Sequence, residues 1–404
     1  MGTCAKSSDI WVPGVSESLL ALNAGTVLSP FERFSPGRVI VYRDRIEAAG
    51  TASDIRVPEG GVALDLPHLT LVPGFIEPHV HGCGGFDVMD ATTDKMNVIS
   101  KTLARYGTTA FLPTTVSAPV DLLGAAVDRL SALIRMEFSG ARPVGIHLEG
   151  PFLSVQRRGT HQSNNVRKPD TALLSNWIQR SGGLVRLVTM APELEGAAAI
   201  ARLAQDSGVF LGMGHSDASF SQSIAAADAG THYAVHTFNA MRPFSHRDPG
   251  IVGAVLSDDR IFAEIIADGV HVNPEVVRIF ARAKGPARIV LATDATSATG
   301  MPDGEYALGN SSVQVRGGIC RDAEGRLAGS TLTQDRALRN LIQWTGMRLD
   351  DALLGLTANP AQALSLDGRG RIEAGAFADL TLLDKNLAVE RTYVGGKLVF
   401  VRSS

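Results

Sequence analysis

Five runs of apolar residues in this chain end in side chains that can bind a metal ion or move a proton. The motifs are PHVHG, HLEGP, MGHSD, VHTFNAM and ATDA, and the side chains are those of His79, His81, Glu149, His215, His236 and Asp294. A parallel (β/α)8 barrel places residues of this kind at the carboxyl ends of its strands, where its active site lies. The motifs therefore predict a metal centre at one end of such a barrel.

The first motif holds two histidines that are one residue apart. Because side chains alternate along a strand, the imidazoles of His79 and His81 face the same side and could chelate one cation. The same spacing also suits two polar residues at a barrel mouth, so both interpretations stay open. Cys83 follows closely, but HGCGG indicates a tight turn of small residues rather than a thiolate ligand.

Glu149, His215 and His236 together offer one carboxylate and two imidazoles, a set that suits Zn²⁺, Fe²⁺ or Co²⁺. Glu149 ends the apolar run VGIHLE, where a carboxylate is costly to bury unless it binds a cation or pairs with an arginine. Either histidine taken alone would more often be a core residue. Only the combination predicts a metal site.

Asp294 ends the last apolar run, ARIVLATD. A carboxylate beside a metal centre can accept a proton from water and pass it on, which is general acid–base catalysis. The alternative is a cap for a following turn, because the segment TDATS also suits that role.

Three further elements are candidates for substrate contacts. His161 lies in the GTHQ loop, and Asn239 and Ala240 follow the VHT motif, where backbone N–H groups could cradle an oxyanion. Arg247 lies in the next loop, and a guanidinium fork is suited to clamping a phosphate. His271 lies just past the seventh predicted strand. Taken singly, these residues are more often ordinary surface residues.

The positions of these motifs depend on an alternation of strands and helices. Apolar runs predict eight parallel strands, at 69–76, 108–115, 143–149, 184–190, 208–214, 232–237, 261–267 and 288–293. Helical periodicity lies between most of them, at 94–106, 121–138, 171–180, 195–207, 221–229 and 274–283. This order predicts an α/β fold, a TIM-like (β/α)8 barrel, with a largely irregular link between strands six and seven.

Short β-like segments at both ends of the chain predict a second, smaller domain. We expect a small β-sandwich domain built from residues 1–70 and 375–404, flanking a metal-dependent barrel at 71–374. Residues 304–329 predict an inserted β-hairpin, and a pair of helices is expected at 333–345 and 350–364.

Composition excludes several classes of function. The chain has 404 residues, of which 45% are hydrophobic and 20% charged, so a large core can form and wholesale disorder is excluded. A net charge of −3 with no basic run argues against nucleic acid as a partner, and no apolar run has membrane-spanning length. Cys4, Cys83 and Cys320 are far apart, and the first residues lack the apolar core of a signal peptide. We therefore expect a cytoplasmic protein without nucleic-acid or membrane partners.

The motifs in their order along the chain resemble a known family. PGFI, HVHG, HLEGPF, GTHQ, GHS, HTFNAM, ADGVHV, TDA and AGSTLT, found between about residues 70 and 380, are similar to the N-acetylglucosamine-6-phosphate deacetylases of the amidohydrolase superfamily. The resemblance implies metal-dependent hydrolysis of the N-acetyl group of N-acetylglucosamine 6-phosphate, which yields glucosamine 6-phosphate and acetate. The strand-four segment LVRLVTMAPE has no lysine that could be carboxylated, which argues against the dihydroorotase and hydantoinase branches.

The resemblance also implies roles for individual residues. Glu149, His215 and His236 would hold the main metal, Asp294 would be the catalytic acid and base, and His161 would contact the substrate carbonyl. The implied contacts to the sugar and its phosphate are His271, Leu327, Ala328, Gly329 and Ser330 for the sugar, and Asn239, Ala240 and Arg247 for the phosphate. In the family the arginine comes from a second subunit, which implies a homodimer, and residues Met301 to Thr333 correspond to a flap.

The implied cofactor is a divalent metal, one or two ions per subunit, with zinc preferred and iron, cobalt or manganese as alternatives. Some members keep the H-x-H pair and can hold two ions, so His79 and His81 permit a second one here. Glu77 and Pro78 stand where Asp-Ile or Asp-Val is more usual. Alternatives for the activity are a deacetylase of N-acetylgalactosamine 6-phosphate, another amidohydrolase, or a non-catalytic sugar-phosphate-binding barrel, against which Asp294 argues.

Overall fold

The computed structural model describes residues 19–403 of the chain. Cys4 and the first eighteen residues of the predicted terminal domain lie outside this range. Within it, the chain forms twenty-two strands: β1 (Leu19–Ser29), β2 (Glu32–Phe34), β3 (Gly37–Tyr42), β4 (Arg45–Thr51), β5 (Val62–Pro73), β6 (Phe75–Val80), β7 (Gly82–Cys83), β8 (Phe86–Asp87), β9 (Thr108–Thr115), β10 (Arg142–Pro143), β11 (Ile146–Glu149), β12 (Val185–Met190), β13 (Phe210–Met213), β14 (Tyr233–Ala234), β15 (Phe262–Ile265), β16 (Ile289–Leu291), β17 (Gly304–Leu308), β18 (Ser311–Arg316), β19 (Ile319–Arg321), β20 (Leu380–Leu383), β21 (Val389–Val394) and β22 (Lys397–Val401).

The described range also holds ten α-helices, most of which follow a strand. They are α1 (Thr93–Arg105), α2 (Val120–Ile134), α3 (Thr171–Ser181), α4 (Ala197–Asp206), α5 (Phe220–Asp228), α6 (Gly250–Ser257), α7 (Pro274–Lys284), α8 (Gln334–Thr345), α9 (Leu349–Leu354) and α10 (Ala358–Ala363). Several begin at a capping side chain that accepts a backbone N–H of the first turn: Thr92, Asp170, Ser219 and Asn273. None of the helices in the described part of the chain combines the length and the apolar character needed to span a bilayer.

Eight parallel strands form a closed barrel. They follow one another in the order β6, β9, β11, β12, β13, β14, β15, β16, with a helix between each pair. The barrel closes where Val80 pairs with Ala295, just beyond β16, and His81 N–H donates to the Ala295 carbonyl over 2.8 Å. The predicted (β/α)8 barrel is confirmed, and its closure brings the first motif beside the last.

The two chain ends meet in one other sheet. Its strand order is β22-β21-β20-β5-β1-β3-β4, with β2 paired to β1. Backbone hydrogen bonds between Ile46 and residues 375–376 bring β4 back toward the segment before β20. The sheet encloses a separate apolar cluster that includes Leu22, Val39, Leu71 and Leu382. The predicted boundaries of this domain, at residues 70 and 375, stay a prediction.

The first predicted strand, 69–76, was placed wrongly. Residues up to Pro73 belong to β5 of the terminal sheet, and the barrel strand β6 begins at Phe75. Gly74 makes the passage possible, because a Cβ at this position would lie 2.2 Å from the buried side chain of Thr109. Both strands are apolar, so sequence pattern alone did not separate them.

Two other regions differ from the prediction. The link between strands six and seven contains helix α6, in which the apolar run from Ile251 to Val255 is buried on every side. A helix without a polar face lacks amphipathic periodicity and therefore escaped detection. The predicted hairpin at 304–329 is a three-stranded sheet, β17 to β19, and three helices instead of two follow it.

We expect Gly74→Ala to lower the free energy of unfolding by about 1–3 kcal/mol, because the added methyl group overpacks a buried contact. Thr109 is β-branched and buried, so it cannot move aside easily. The matched control is Gly355→Ala, since that glycine has helical backbone angles and its Cβ would meet neighbours at an ordinary 3.4 Å. Urea unfolding of both variants measures the difference, and equal stabilities would contradict this account of Gly74.

Candidate active site

The six residues of the strand-end motifs converge at the carboxyl end of the barrel. They form two groups of three buried side chains that could each hold a metal ion, which are Glu149, His215 and His236, and His79, His81 and Asp294. The ligand atoms of each group lie within 4.8 Å of one another. Residues more than two hundred positions apart in sequence thus share one site.

In the first group the three ligand atoms form a nearly equilateral triangle. Oε1 of Glu149 lies 3.1 Å from Nε2 of His215 and 3.1 Å from Nε2 of His236, and the two Nε2 atoms are 3.1 Å apart. Ligands at about 2.0–2.1 Å from a tetrahedral zinc ion lie about 3.3 Å from each other. The triangle therefore has the dimensions of three tetrahedral ligands.

The second group contacts the same carboxylate. Nε2 of His79 is 3.4 Å from Oε1 of Glu149, and Nε2 of His81 is 3.5 Å from Oε2. Oδ1 of Asp294 lies 3.1 Å from Nε2 of His81 and 3.7 Å from Nε2 of His79. Glu149 is thus placed between the two groups, where it could serve both.

The hydrogen bonds of the ring nitrogens that face away from the site show which nitrogen carries the proton when each histidine is neutral. Nδ1 of His215 donates to the carbonyl of Arg157 and Nδ1 of His81 donates to that of Thr114, each over 3.0 Å. Because a carbonyl only accepts, Nε2 of each neutral ring has a lone pair that points toward carboxylate oxygen. Lone pairs that face anions repel unless a cation lies between them, so these residues fit a bound metal.

The electrostatics of the site also favour positive charge. Burial lowers the pKa of His81, but its hydrogen bond to Asp294 and the charge of Glu149 outweigh burial and raise it. Burial raises the pKa of Asp294, but the hydrogen bond to His81 and the charges of His79 and His81 outweigh this effect and lower it to about 2. The charges of His215 and His161 likewise lower the pKa of Glu149 well below its ordinary value, against the effect of burial. Both carboxylates are therefore ionised at neutral pH.

Three of the converging residues have a left-handed backbone. The φ angles are +46° at His215, +31° at His236 and +50° at Asp294. Such angles are unfavourable for residues other than glycine and persist only where the surrounding structure enforces them. Here each residue follows the end of its strand, and the unusual backbone turns its side chain into the centre.

His161 is oriented in the opposite sense to His81 and His215. Its Nδ1 accepts the backbone N–H of Ser117 over 3.1 Å, so the proton of the neutral ring is on Nε2. That N–H group lies 3.2 Å from Oε2 of Glu149. His161 therefore presents a hydrogen-bond donor to the centre, whereas neutral His81 and His215 present lone pairs.

Two other residues near the first motifs point away from the centre. His147 shares the face of Glu149, but its Nε2 lies 2.7 Å from the Thr189 hydroxyl and its Nδ1 lies 3.1 Å from the Pro78 carbonyl. The thiol of Cys83 donates to the carbonyl of Ile99, and burial raises its pKa. Neither is placed to hold a metal at this site.

The centre opens into a cavity of about 460 Å³. Of the residues predicted to contact substrate, seven line it: His161, Asn239, Ala240, His271, Leu327, Ala328 and Gly329. Ser330 lies behind the wall, where its hydroxyl donates to the carbonyl of Thr293 over 2.6 Å. Arg247 is exposed and lies outside the described lining of the cavity. The tips of the three-stranded sheet, at 310–313 and 322–327, form the wall opposite the metal groups.

The segment after His236 forms an irregular turn at the edge of the cavity. Phe238 and Ala240 have positive φ angles of +80° and +50°. Left-handed angles that alternate with ordinary ones in this way can expose N–H groups in a concavity that suits an anion. Across the cavity, Nδ1 of His271 lies 2.7 Å from the carboxylate of Asp268, which orients the ring.

Sequence reasoning missed one central residue, Glu264. It is fully buried in β15, and its carboxylate contacts Nδ1 of His79, the backbone N–H of His236 and the hydroxyl of Tyr233. The available signal was a single carboxylate inside the apolar run IFAEII, which requires buried partners. Its partners are distant in sequence and could not be named from the run.

Comparison with known proteins agrees with this geometry. The model of the amidohydrolase family matches residues 70–399. The N-acetylglucosamine-6-phosphate deacetylase of Vibrio furnissii is 39% identical over 359 residues, which cover 88% of this chain and 90% of the relative. The N-acetylgalactosamine-6-phosphate deacetylase of Escherichia coli O157:H7 is 40% identical over 329 residues, which cover 81% and 87%.

A solved structure shares the whole fold. The D267A mutant of the N-acetyl-D-glucosamine-6-phosphate deacetylase from Mycobacterium smegmatis, in complex with N-acetyl-D-glucosamine-6-phosphate, is 37% identical with a TM-score of 0.89. The alignment covers 95% of this chain and 100% of that one. This chain therefore belongs to the amidohydrolase family and, within it, to the N-acetylglucosamine-6-phosphate deacetylases.

Proposed function

We propose that this protein hydrolyses the N-acetyl amide of N-acetylglucosamine 6-phosphate to glucosamine 6-phosphate and acetate. The observation that carries the proposal is the convergence on Glu149 of two groups of potential metal ligands, one of which includes Asp294, with His161 beside them in one cavity. A hydrolase of a carbon–nitrogen amide bond needs an activated water, a proton carrier and a donor to the developing oxyanion, and these residues can supply all three.

Glu149, His215 and His236 are proposed to hold a divalent cation, and His79 and His81 a second one. When bound, such a cation acts as a Lewis acid that lowers the pKa of a water toward ~7 and polarises the amide carbonyl. Zinc is the proposed ion, since two imidazoles and a carboxylate form a ligand set that catalytic zinc uses. Iron, cobalt and manganese accept the same set and stay alternatives.

Asp294 is the proposed proton carrier. Its carboxylate is ionised at neutral pH and is a weak base. It can still accept a proton from water at this position, because a cation bound by the neighbouring groups would make that water more acidic. It accepts the proton of the water that attacks the carbonyl carbon. It then returns that proton to the amide nitrogen as the carbon–nitrogen bond breaks, so the amine leaves neutral together with acetic acid, which loses its remaining proton to solvent and becomes acetate.

His161 is the proposed donor to the oxyanion. Because Ser117 occupies its Nδ1, the ring offers an N–H group toward the centre without first having to gain a proton. A donor of this kind typically contributes about 3–4 kcal/mol of transition-state stabilisation.

Asn239 and Ala240 are proposed to bind the phosphate through the irregular turn, together with Arg247 of the partner subunit in a homodimer. One observation supports this assembly: Arg247 is exposed and lies outside the described lining of the cavity in its own subunit. Leu327, Ala328, Gly329 and His271 are proposed to contact the sugar, whereas Ser330 supports them from behind the wall.

A second candidate substrate is the galactosamine epimer, since the Escherichia coli relative that acts on N-acetylgalactosamine 6-phosphate by name is 40% identical. A non-catalytic sugar-phosphate-binding barrel is disfavoured, because it would have no use for Asp294 and His161 at a metal centre. The expected cytoplasmic location stays a prediction.

We expect protein of measured metal content to release acetate from N-acetylglucosamine 6-phosphate faster than from the galactosamine epimer. Chelation should abolish release, and added Zn²⁺ should restore it, because the attacking water needs a Lewis acid. Faster release from the galactosamine epimer would reverse the choice of substrate. No release from either sugar by metal-loaded protein would favour the binding-barrel alternative.

We expect Asp294→Asn to lower kcat by about 10²–10⁴-fold, because the amide cannot carry the proton from water to the leaving nitrogen. The measurement is acetate release at saturating substrate, with metal content determined on the same sample. Metal held by Glu149, His215 and His236 should remain. A variant that keeps this metal and wild-type turnover would remove Asp294 from the proposed mechanism.

We expect Arg247→Ala to raise KM for N-acetylglucosamine 6-phosphate far more than for unphosphorylated N-acetylglucosamine, because only the phosphate uses the guanidinium. The matched control is His246→Ala, the exposed neighbour on the same loop, which should change neither value. Steady-state kinetics on both sugars measure the difference. Equal effects of Arg247→Ala on both sugars would place this arginine outside the phosphate site.

A further inference from the structure

The carboxylate of Glu264 lies behind the metal groups and outside the cavity. It is fully buried near the middle of the barrel and has three partners among the described residues. Oε1 accepts the hydroxyl of Tyr233 over 2.8 Å. Oε2 lies 3.0 Å from both the backbone N–H of His236 and Nδ1 of His79. All three partners can therefore donate a hydrogen bond to the buried carboxylate.

These contacts determine which nitrogen of the neutral His79 ring carries the proton. An ionised carboxylate can only accept, so the proton of the neutral His79 ring lies on Nδ1, and Nε2 has a free lone pair. That Nε2 is buried without a hydrogen-bond partner in the described part of the chain. It lies 3.4 Å from Oε1 of Glu149 and 3.7 Å from Oδ1 of Asp294. An unpartnered nitrogen facing two carboxylates is placed to bind a cation.

The same carboxylate also restrains the other metal group. By accepting the N–H of His236, Glu264 ties the strained backbone at that residue to β15. One side chain therefore holds the ring of a residue in one group and the backbone of a residue in the other. Partners behind metal-binding histidines usually fix the tautomer and the ring orientation in this way.

We propose that Glu264 is a positioning residue that holds His79 with Nε2 directed at the metal centre, and that cation binding by His79 and His81 depends on it. The proposal rests on the metal centre of the proposed function. It assigns no contact between Glu264 and the substrate. Loss of the carboxylate would leave either tautomer of His79 accessible, and the tautomer with a proton on Nε2 cannot bind a cation.

The test is a titration of metal-stripped full-length protein with Co²⁺, followed by its d–d absorption, and with Zn²⁺ by competition. No substrate is present, so failure of the deacetylase proposal would leave the result interpretable. We expect Glu264→Leu, which keeps the volume but removes the acceptor, to weaken cation binding about 10–100-fold and to change the Co²⁺ spectrum. Glu264→Gln, which retains an acceptor oxygen, should restore part of the affinity.

The variant His79→Ala completes a double-mutant cycle with Glu264→Leu, because Glu264 is proposed to act through His79. Adding Glu264→Leu to His79→Ala should weaken cation binding far less than it does in the wild type, because only the contact with the His236 backbone is then lost. Tyr233→Phe controls for disturbance of the buried cluster, since it leaves the carboxylate on His79, and should bind cations as the wild type does. If Glu264→Leu does not fold, Glu264→Gln replaces it. A smaller loss of affinity is then expected in the wild type, and a still smaller one in the His79→Ala background.

Four results would overturn the proposal. The first is wild-type cation affinity in a folded Glu264→Leu, or in Glu264→Gln where only that variant folds. The second is a loss that persists undiminished in the His79→Ala background. The third is an equal loss in Tyr233→Phe, and the fourth is unchanged binding in His79→Ala, since His79 would then not be a ligand.

Discussion

The burial of one carboxylate, that of Glu149, is the constraint on which the rest of the site depends. Its oxygens lie 3.1–3.5 Å from Nε2 of five histidines, which are His79, His81, His161, His215 and His236. An isolated buried anion is costly, so positive charge must be present beside it, as protons or as metal ions. The lone pairs that neutral His79, His81 and His215 direct at the same place suit metal ions, so a fold that assembles these rings provides a cation site.

Closure of the barrel is what brings the histidines together. His79 and His81 belong to the first strand and Asp294 to the last, and they meet only because β6 pairs with the segment after β16. The backbone N–H of Asp294 donates to the carbonyl of His79 over 3.1 Å, so the pairing of strands and the geometry of the site share the same bonds. Glu77 strengthens this seam, since its buried carboxylate accepts the N–H groups of His79 and Thr293.

The histidines divide into two kinds according to what lies behind each ring. Carbonyl or carboxylate oxygens accept Nδ1–H of neutral His79, His81 and His215, so Nε2 of each ring directs a lone pair at the centre. The N–H of Ser117 donates to Nδ1 of His161, so Nε2 of that ring directs an N–H group at the centre. Identical side chains are therefore suited to different chemical roles, which we propose to be those of metal ligand and of oxyanion donor. The hydrogen bonds behind the rings are the physical basis of this difference.

Sequence patterns by themselves determined the barrel, its strand ends and most of the converging residues, because strand periodicity and apolar runs are local properties of the chain. They failed where a local pattern was ambiguous or absent: β5 and β6 are both apolar, and α6 has no polar face. Glu264 stood alone in an apolar run, and its partners became visible only in the folded chain.

Only the tertiary structure decided which nitrogen of each histidine faces the centre. That choice depends on Thr114, Ser117, Arg157 and Glu264, which are between 33 and 185 residues away from the rings they contact. Hydrogen bonds between groups so distant in sequence leave no periodic trace in the chain. They exist only once the strands have closed into a barrel.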